Sequence, residues 1–148
     1  MTDDAPVDDD PLALERQVCF ALSVAARSVV ALYRPLLEPM GLTHPQYLVM
    51  LALWGESPLT VRRLSELLAL DPGTLSPLLK RLEAIGYLRR ERDRADERSL
   101  AITLTERGEA LRAEALRIPP AVVARLGMPI DDLHRLHASL TRVIAAAV

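Results

Sequence analysis

The 148-residue chain holds a single cysteine, Cys19, so no disulfide can close within it and a disulfide-stapled scaffold is excluded. Aromatic residues are scarce: Phe20, Tyr33, Tyr47, Trp54 and Tyr87 are all there are. A core this poor in rings must be assembled from Leu, Ala and Val, which suits helices. No unbroken apolar run of about 18 residues is present, so no membrane span is expected. The opening Met1-Thr2-Asp3-Asp4 has neither a basic region nor an apolar stretch. A signal peptide is therefore not expected, and a cytoplasmic location is. The three histidines, His44, His134 and His137, are too scattered to hold a metal. There is no Gly-rich phosphate loop and no nucleophile-elbow motif. No cofactor and no metal are predicted, and an enzyme is the least supported class.

Half of the residues are apolar, which is ample for one folded domain. The net charge of −2 hides an uneven distribution. Residues 1–10 hold five aspartates and no basic residue, and read as a disordered acidic tail. Residues 60–98 hold nine basic and seven acidic residues, a local excess of positive charge inside an acidic chain.

Helix-start and helix-stop signals divide the rest. Asp10-Pro11 predicts an N-cap followed by proline, opening a long helix to about residue 37 along Val18, Leu22, Ala25, Val29 and Leu32. Pro39 and Gly41 end it. Thr43-His44-Pro45-Gln46 reads as a capping box and opens a second helix through Trp54. Thr60 begins a short third helix, and Asp71-Pro72, a cap followed by proline, opens a fourth that Gly86 closes. The apolar period then changes from 3.6 to 2. Leu100, Ile102 and Leu104 alternate with Ala101 and Thr103, predicting a strand that pairs with residues 87–92 across a charged tip at 93–98. Thr105 caps a further helix to about residue 117. Ile118-Pro119-Pro120 breaks it, and helices to Leu126 and from about Ile130 to Ala146 complete the chain.

Two helices joined by the short Ala69-Leu70 link and followed at once by a hairpin make a winged helix-turn-helix. The fold class is therefore mainly α, a winged helix-turn-helix whose N- and C-terminal helices form a dimerisation layer. The expected organisation is an acidic tail (1–10), a dimerisation and sensor helix (11–40), a DNA-binding lobe (41–104) and C-terminal dimerisation helices (105–148). Leu111, Leu116, Leu133, Leu136, Leu140 and Ile144 are the apolar positions expected in the dimer layer. In the fourth helix Leu75, Leu78, Leu79 and Leu82 must point inward. Gly73, Ser76, Pro77 and Lys80 then point outward, with Thr74 and Arg81 on the flanks. Small residues at its start allow close approach to base edges. Arg62, Arg63, Lys80 and Arg81 are candidate phosphate contacts. Arg98 and Arg94, in the wing, are candidates for the minor groove, where narrow A·T tracts concentrate negative potential. Asp96 is expected to brace the wing by pairing with an arginine.

The wing and its exit, Asp93-Arg94-Ala95-Asp96-Glu97-Arg98-Ser99-Leu100-Ala101-Ile102-Thr103-Leu104-Thr105-Glu106-Arg107-Gly108, resemble the wing signature of the multiple-antibiotic-resistance regulator (MarR) family. Residues 70–83, with the interior Pro77, resemble that family's recognition helix. A narrower resemblance lies in Val18-Cys19-Phe20-Ala21-Leu22, Leu32-Tyr33-Arg34-Pro35-Leu36-Leu37 and Leu42-Thr43-His44-Pro45-Gln46-Tyr47-Leu48. These segments are similar to the organic hydroperoxide resistance regulators of the one-cysteine type. The resemblance implies a homodimeric repressor on a pseudo-palindromic duplex, released when an organic hydroperoxide oxidises the first-helix cysteine. It implies that Cys19 becomes a sulfenic acid, then joins a small cellular thiol or is over-oxidised. It implies Tyr33 of the opposite subunit, with His44 and Tyr47, as partners of Cys19. The branch usually carries tyrosine where His44 and Ser23 stand here, and serine where Pro72 stands.

Without that resemblance, Cys19 reads as a small hydrophobe on a helix. No basic residue stands four positions away, and a helix start at Asp10 would put the thiol two turns from the positive end of the dipole. Tyr33 follows Cys19 by fourteen residues, on the same side of a helix but about 21 Å along its axis. The two can meet only between antiparallel first helices of two subunits. Two rival functions stand beside peroxide sensing: a regulator of the same fold that answers to a phenolic or other aromatic ligand, and a helical protein-interaction module.

Overall fold

The computed structural model describes residues 10–148, so the acidic tail expected over 1–10 lies, apart from Asp10, outside the described residues. The elements run α1 (Val18–Leu37), α2 (His44–Gly55), β1 (Leu59–Thr60), α3 (Val61–Leu68), α4 (Pro72–Ile85), β2 (Leu88–Arg92), β3 (Leu100–Leu104), α5 (Glu106–Ala115), α6 (Ile118–Leu126) and α7 (Ile130–Ala147). The mainly helical winged helix-turn-helix predicted from the sequence is the observed fold.

Four caps explain most of the helix starts. Thr43 accepts from the Gln46 backbone N–H while the Gln46 side chain accepts from the Thr43 N–H, a complete capping box. Thr60, Asp71 and Thr105 each accept the backbone N–H three residues on. α4 ends at Gly86, whose φ of 97° is open to glycine at little cost. α5 ends at Ala115 and a new helix starts at Ile118, so the expected break before Pro119 and Pro120 is present. Both prolines sit in the first turn of α6, where no N–H is needed.

The start of α1 differs from expectation. Asp10 accepts from the Leu12 N–H, two residues on, so its carboxylate closes a local turn instead of capping a helix. A single 3₁₀ turn follows at Leu14–Arg16, Gln17 is extended, and α1 begins only at Val18.

The sheet has strand order β1-β3-β2 and is antiparallel throughout. Leu88 pairs with Leu104 and Arg90 with Ile102, which leaves β2 as an open edge. β1 is a strand the sequence did not suggest, since two residues cannot show a period of two. The core gathers Met50, Leu53, Leu64, Leu75, Leu79, Leu82, Leu88 and Ile102 beneath α4 and the sheet. Leu111 also belongs to it, buried within the protomer and not in an outer layer. Its helix, α5, turns that side toward α2 and the sheet, so the apolar stripe is spent internally.

α1 and α7 remain largely uncovered. α7 has no buried residue, and α1 only Leu37. Leu116, Leu136 and Ile144 are 60%, 45% and 62% exposed. Among the described residues, Val18–Met40 is long and apolar enough to cross a membrane by length and composition. Counting unbroken apolar runs overlooked it because Arg27, Arg34 and Glu38 interrupt the segment. An amphipathic helix with one unpartnered face meets the same criterion, and Phe20, Val24 and Val30 lie on exposed parts of α1.

Candidate DNA-binding surface and sensor site

α4 buries Leu75, Leu79 and Leu82, and this fixes what it shows to solvent. Gly73, Thr74, Pro77, Lys80 and Arg81 are exposed, and Ser76 is half-buried. The helix runs on through Pro77. At its start Asp71 accepts from both the backbone N–H and the hydroxyl of Thr74. These hydrogen bonds hold the Asp71 carboxyl below the usual carboxylate range. The N-terminus of α4 is thus already occupied by a carboxylate. Small side chains suit it to approach bases, whereas an incoming phosphate would meet like charge.

The positive side chains differ in how free they are. Arg62 and Arg63 both pair with Glu66 on the same helix, at 3.5 and 3.3 Å. Exposed pairs of this kind are weak and can be exchanged for phosphate. Lys80, Arg81, Arg94 and Arg98 are exposed and enter none of the ion pairs among the described residues. Asp96 holds the wing tip, but not through a guanidinium. Its carboxylate accepts the backbone N–H of Arg98 and the hydroxyl of Ser99, which leaves the Arg98 side chain outside. The expected arginine pairing is replaced because the tight turn brings the Arg98 backbone N–H and the Ser99 hydroxyl within reach of the carboxylate.

Cys19 is exposed and is the second residue of α1. The late start of α1 corrects the expectation that the thiol sits far from the helix end. Anionic groups in a first turn face the positive end of the helix macrodipole. The hydroxyl of Ser23 donates to the Cys19 carbonyl.

At the other end of α1 three of the predicted partners come together. Tyr33 meets His44 edge to face at 4.8 Å between centroids and Tyr47 at 5.7 Å. His44 and Tyr47 are 6.4 Å apart. Burial raises both phenol pKa values, so Tyr33 and Tyr47 keep their protons at neutral pH. Burial lowers that of His44, which leaves a neutral imidazole and not the imidazolium that would pull most strongly on a thiolate. The cluster extends to Trp54, 6.5 Å from Tyr47, whose indole N–H donates to the Gly108 carbonyl at 2.9 Å. Fourteen residues of α1 separate Cys19 from Tyr33, so the protomer keeps the thiol and its candidate partners about 21 Å apart.

The sequence model of the family described as transcriptional regulator SarA/Rot matches residues 31–114. The chain is 42% identical to the organic hydroperoxide resistance transcriptional regulator of Bacillus subtilis (strain 168), over 88% of this chain and 89% of that protein. The chain belongs to the SarA/Rot family of MarR-like winged-helix transcriptional regulators. It is also 48% identical to the HTH-type transcriptional regulator TtmR of Methylorubrum extorquens (strain PA1), over 86% of its own length and 66% of that protein's. Among solved structures it is similar to AbfR of Staphylococcus epidermidis, with 34% identity, a TM-score of 0.76, and coverage of 90% of this chain and 92% of AbfR. AbfR has been solved reduced and bound to DNA, where the TM-score is again 0.76, and as a disulfide-formed protein, where it is 0.64. Members of this family are DNA-binding regulators and not enzymes.

Three contacts of this MarR-like regulator had no signal in its sequence. Arg90 clasps Glu83 across the gap between β2 and α4. The Tyr87 hydroxyl donates to the Met40 carbonyl at 2.8 Å, linking the end of the first-helix region to the start of the wing. Trp54 reaches α5. The last two join residues 47 and 54 positions apart, beyond any periodicity.

Proposed function

We propose that this regulator is a homodimeric repressor that leaves its operator when an organic hydroperoxide oxidises Cys19. One observation carries this: an exposed first-turn cysteine stands at one end of α1, and Tyr33, packed with His44 and Tyr47 of α2, stands near the other. Two antiparallel copies of α1 crossing near Ala26 would seat each Cys19 against the other subunit's cluster. The uncovered apolar faces of α1 and α7 support such a pairing. The name of the Bacillus subtilis relative supports the inducer.

The Cys19 thiolate attacks the distal peroxide oxygen. The O–O bond breaks, sulfur is oxidised to sulfenic acid, and the alkoxide leaves as an alcohol after taking a proton. The peroxide gains the two electrons that sulfur loses. With no second cysteine in the chain, a small cellular thiol condenses with the sulfenic acid, giving a mixed disulfide and water. The adduct wedges the α1 pair and changes the spacing of the two reading heads, which must fit both half-sites at once.

On DNA, α4 enters the major groove with Gly73, Thr74 and Ser76 near the bases and Lys80 and Arg81 at phosphates. Arg62 and Arg63 contact phosphates, and Arg94 and Arg98 reach the minor groove, with Asp96 as the brace. The half-sites of a pseudo-palindrome lie about 10 base pairs apart.

The test is anisotropy binding to a duplex from the upstream region of the gene, with and without cumene hydroperoxide and a small thiol. Wild type should bind and be released. Cys19→Ser should bind and stay bound. Release of that variant by the same oxidant overturns the proposal.

A further inference from the structure

The two strands of the wing are held differently: β3 pairs with β1 through Leu59↔Ile102 and Thr60↔Ala101, whereas β2 is tied to α4 by one ion pair among the described residues. β2 is an edge strand, so backbone donors on its outer side have no strand to bind. At Arg90 one such donor is used: its backbone N–H donates to Glu83 Oε2 at 3.1 Å. The same residue's guanidinium grips the same carboxylate, Nε to Oε2 and Nη2 to Oε1, both at 3.1 Å. Three bonds thus join the middle of β2 to the C-terminal half of α4. The Arg90 and Glu83 side chains are only 27% and 38% exposed, the least exposed of the described ion pairs. Forked, partly desolvated pairs of this kind are strong and directional.

The other wing charges are held locally. Arg89 pairs with Glu91 two residues away on its own strand, and Asp96 binds within the tip. Neither ties the wing to another element. The strand continuing from Arg90 leads within four residues to Arg94, and the return strand begins two residues after Arg98.

We infer, resting on the wing-to-DNA contact proposed above, that Glu83 and Arg90 are positioning residues which set the angle of the wing to the recognition helix. Neither touches DNA. Together they make α4 and the wing one rigid reading head, so major-groove and minor-groove contacts are made in one step. Without the pair β2 loses this tie to α4 while β3 keeps its pairing with β1, and the tip arginines bind only after paying the entropy of being placed. Arg90 holds the Glu83 carboxyl below the usual carboxylate range, chiefly through the side-chain hydrogen bonds, so the clasp stays closed across physiological pH.

The experiment is a double-mutant cycle on operator binding at fixed salt. Glu83→Ala should weaken binding about tenfold, and the doubly substituted tip variant Arg94→Ala, Arg98→Ala should weaken it by at least as much. In the tip variant, Glu83→Ala should then have no further effect, because nothing remains at the tip to be positioned. Arg90→Gln removes the fork and leaves the backbone bond, and should repeat this pattern. It also keeps the test open if Glu83→Ala folds poorly. Should Glu83→Ala and Arg90→Gln bind as wild type, or add their full loss in the tip variant, the positioning role is overturned while the wing contact stands. Should the tip variant itself bind as wild type, the wing contact fails, and the positioning role with it.

Discussion

Tyr33 on α1 and His44 on α2 meet edge to face at 4.8 Å, although a helix end, a 3₁₀ turn and Gly41 separate them. The contact places a titratable ring on the aromatic partner that the proposed sensor uses. Burial lowers the His44 pKa, so the folded protein favours the neutral ring. The unfolded chain takes up this proton near pH 6.5, the folded one only at lower pH. Stability should therefore hold steady above about pH 6.5 and fall as pH drops below it. Thermal melts at pH 7.5 and 5.5 should show a larger drop for wild type than for His44→Phe. Equal drops would remove His44 from the pH response.

Oxidation alone should not be the whole signal. One added oxygen is small beside a thiol adduct, so hydroperoxide without a small thiol should release less DNA than hydroperoxide with it. Anisotropy titrations with mass spectrometry of Cys19 would match each degree of release to a sulfur state. Full release at the sulfenic stage would make the thiol irrelevant.

Binding should weaken steeply with salt, because several phosphates are neutralised at once. Arg98→Ala should reduce the slope of log Kd against log salt by about one. An unchanged slope would place the Arg98 side chain away from the backbone charge.

Gly108 has no room for a side chain. A Cβ there would lie 2.0 Å from the Tyr87 carbonyl oxygen and 2.9 Å from its carbon, both backbone atoms. Gly108→Ala should cost about 2–3 kcal/mol in urea unfolding, as forced backbone shifts do. The damage should also reach DNA binding, since Tyr87 leads directly into β2.

The parts of the fold that could be read in advance are those with local chemistry. Thr43, Asp71 and Thr105 cap the helices their side chains suggested, and alternation at Leu100, Ile102 and Leu104 gave β3. Asp10 misled because an aspartate can close an i+2 turn as readily as cap a helix. That one choice moved Cys19 from mid-helix into the first turn. Leu111 misled because an apolar stripe on a helix does not say which neighbour covers it. Tyr33, His44 and Tyr47 were singled out as candidates, yet their meeting depends on how α1 and α2 fold back across Gly41. Glu83 and Arg90 were visible only as two charges among many in a crowded basic segment.

The separation of Cys19 from Tyr33 along α1 has a genetic consequence. In the proposed antiparallel dimer each sensing centre draws its sulfur from one polypeptide and its phenol from the other. A cell carrying one Cys19→Ser allele and one Tyr33→Phe allele would assemble mixed dimers with one centre whole and one doubly broken. Both homodimers would stay on the operator, so the alleles would not complement in the cell; the mixed dimer, isolated from them, would regain release from DNA if one intact centre is enough for a repressor to let go.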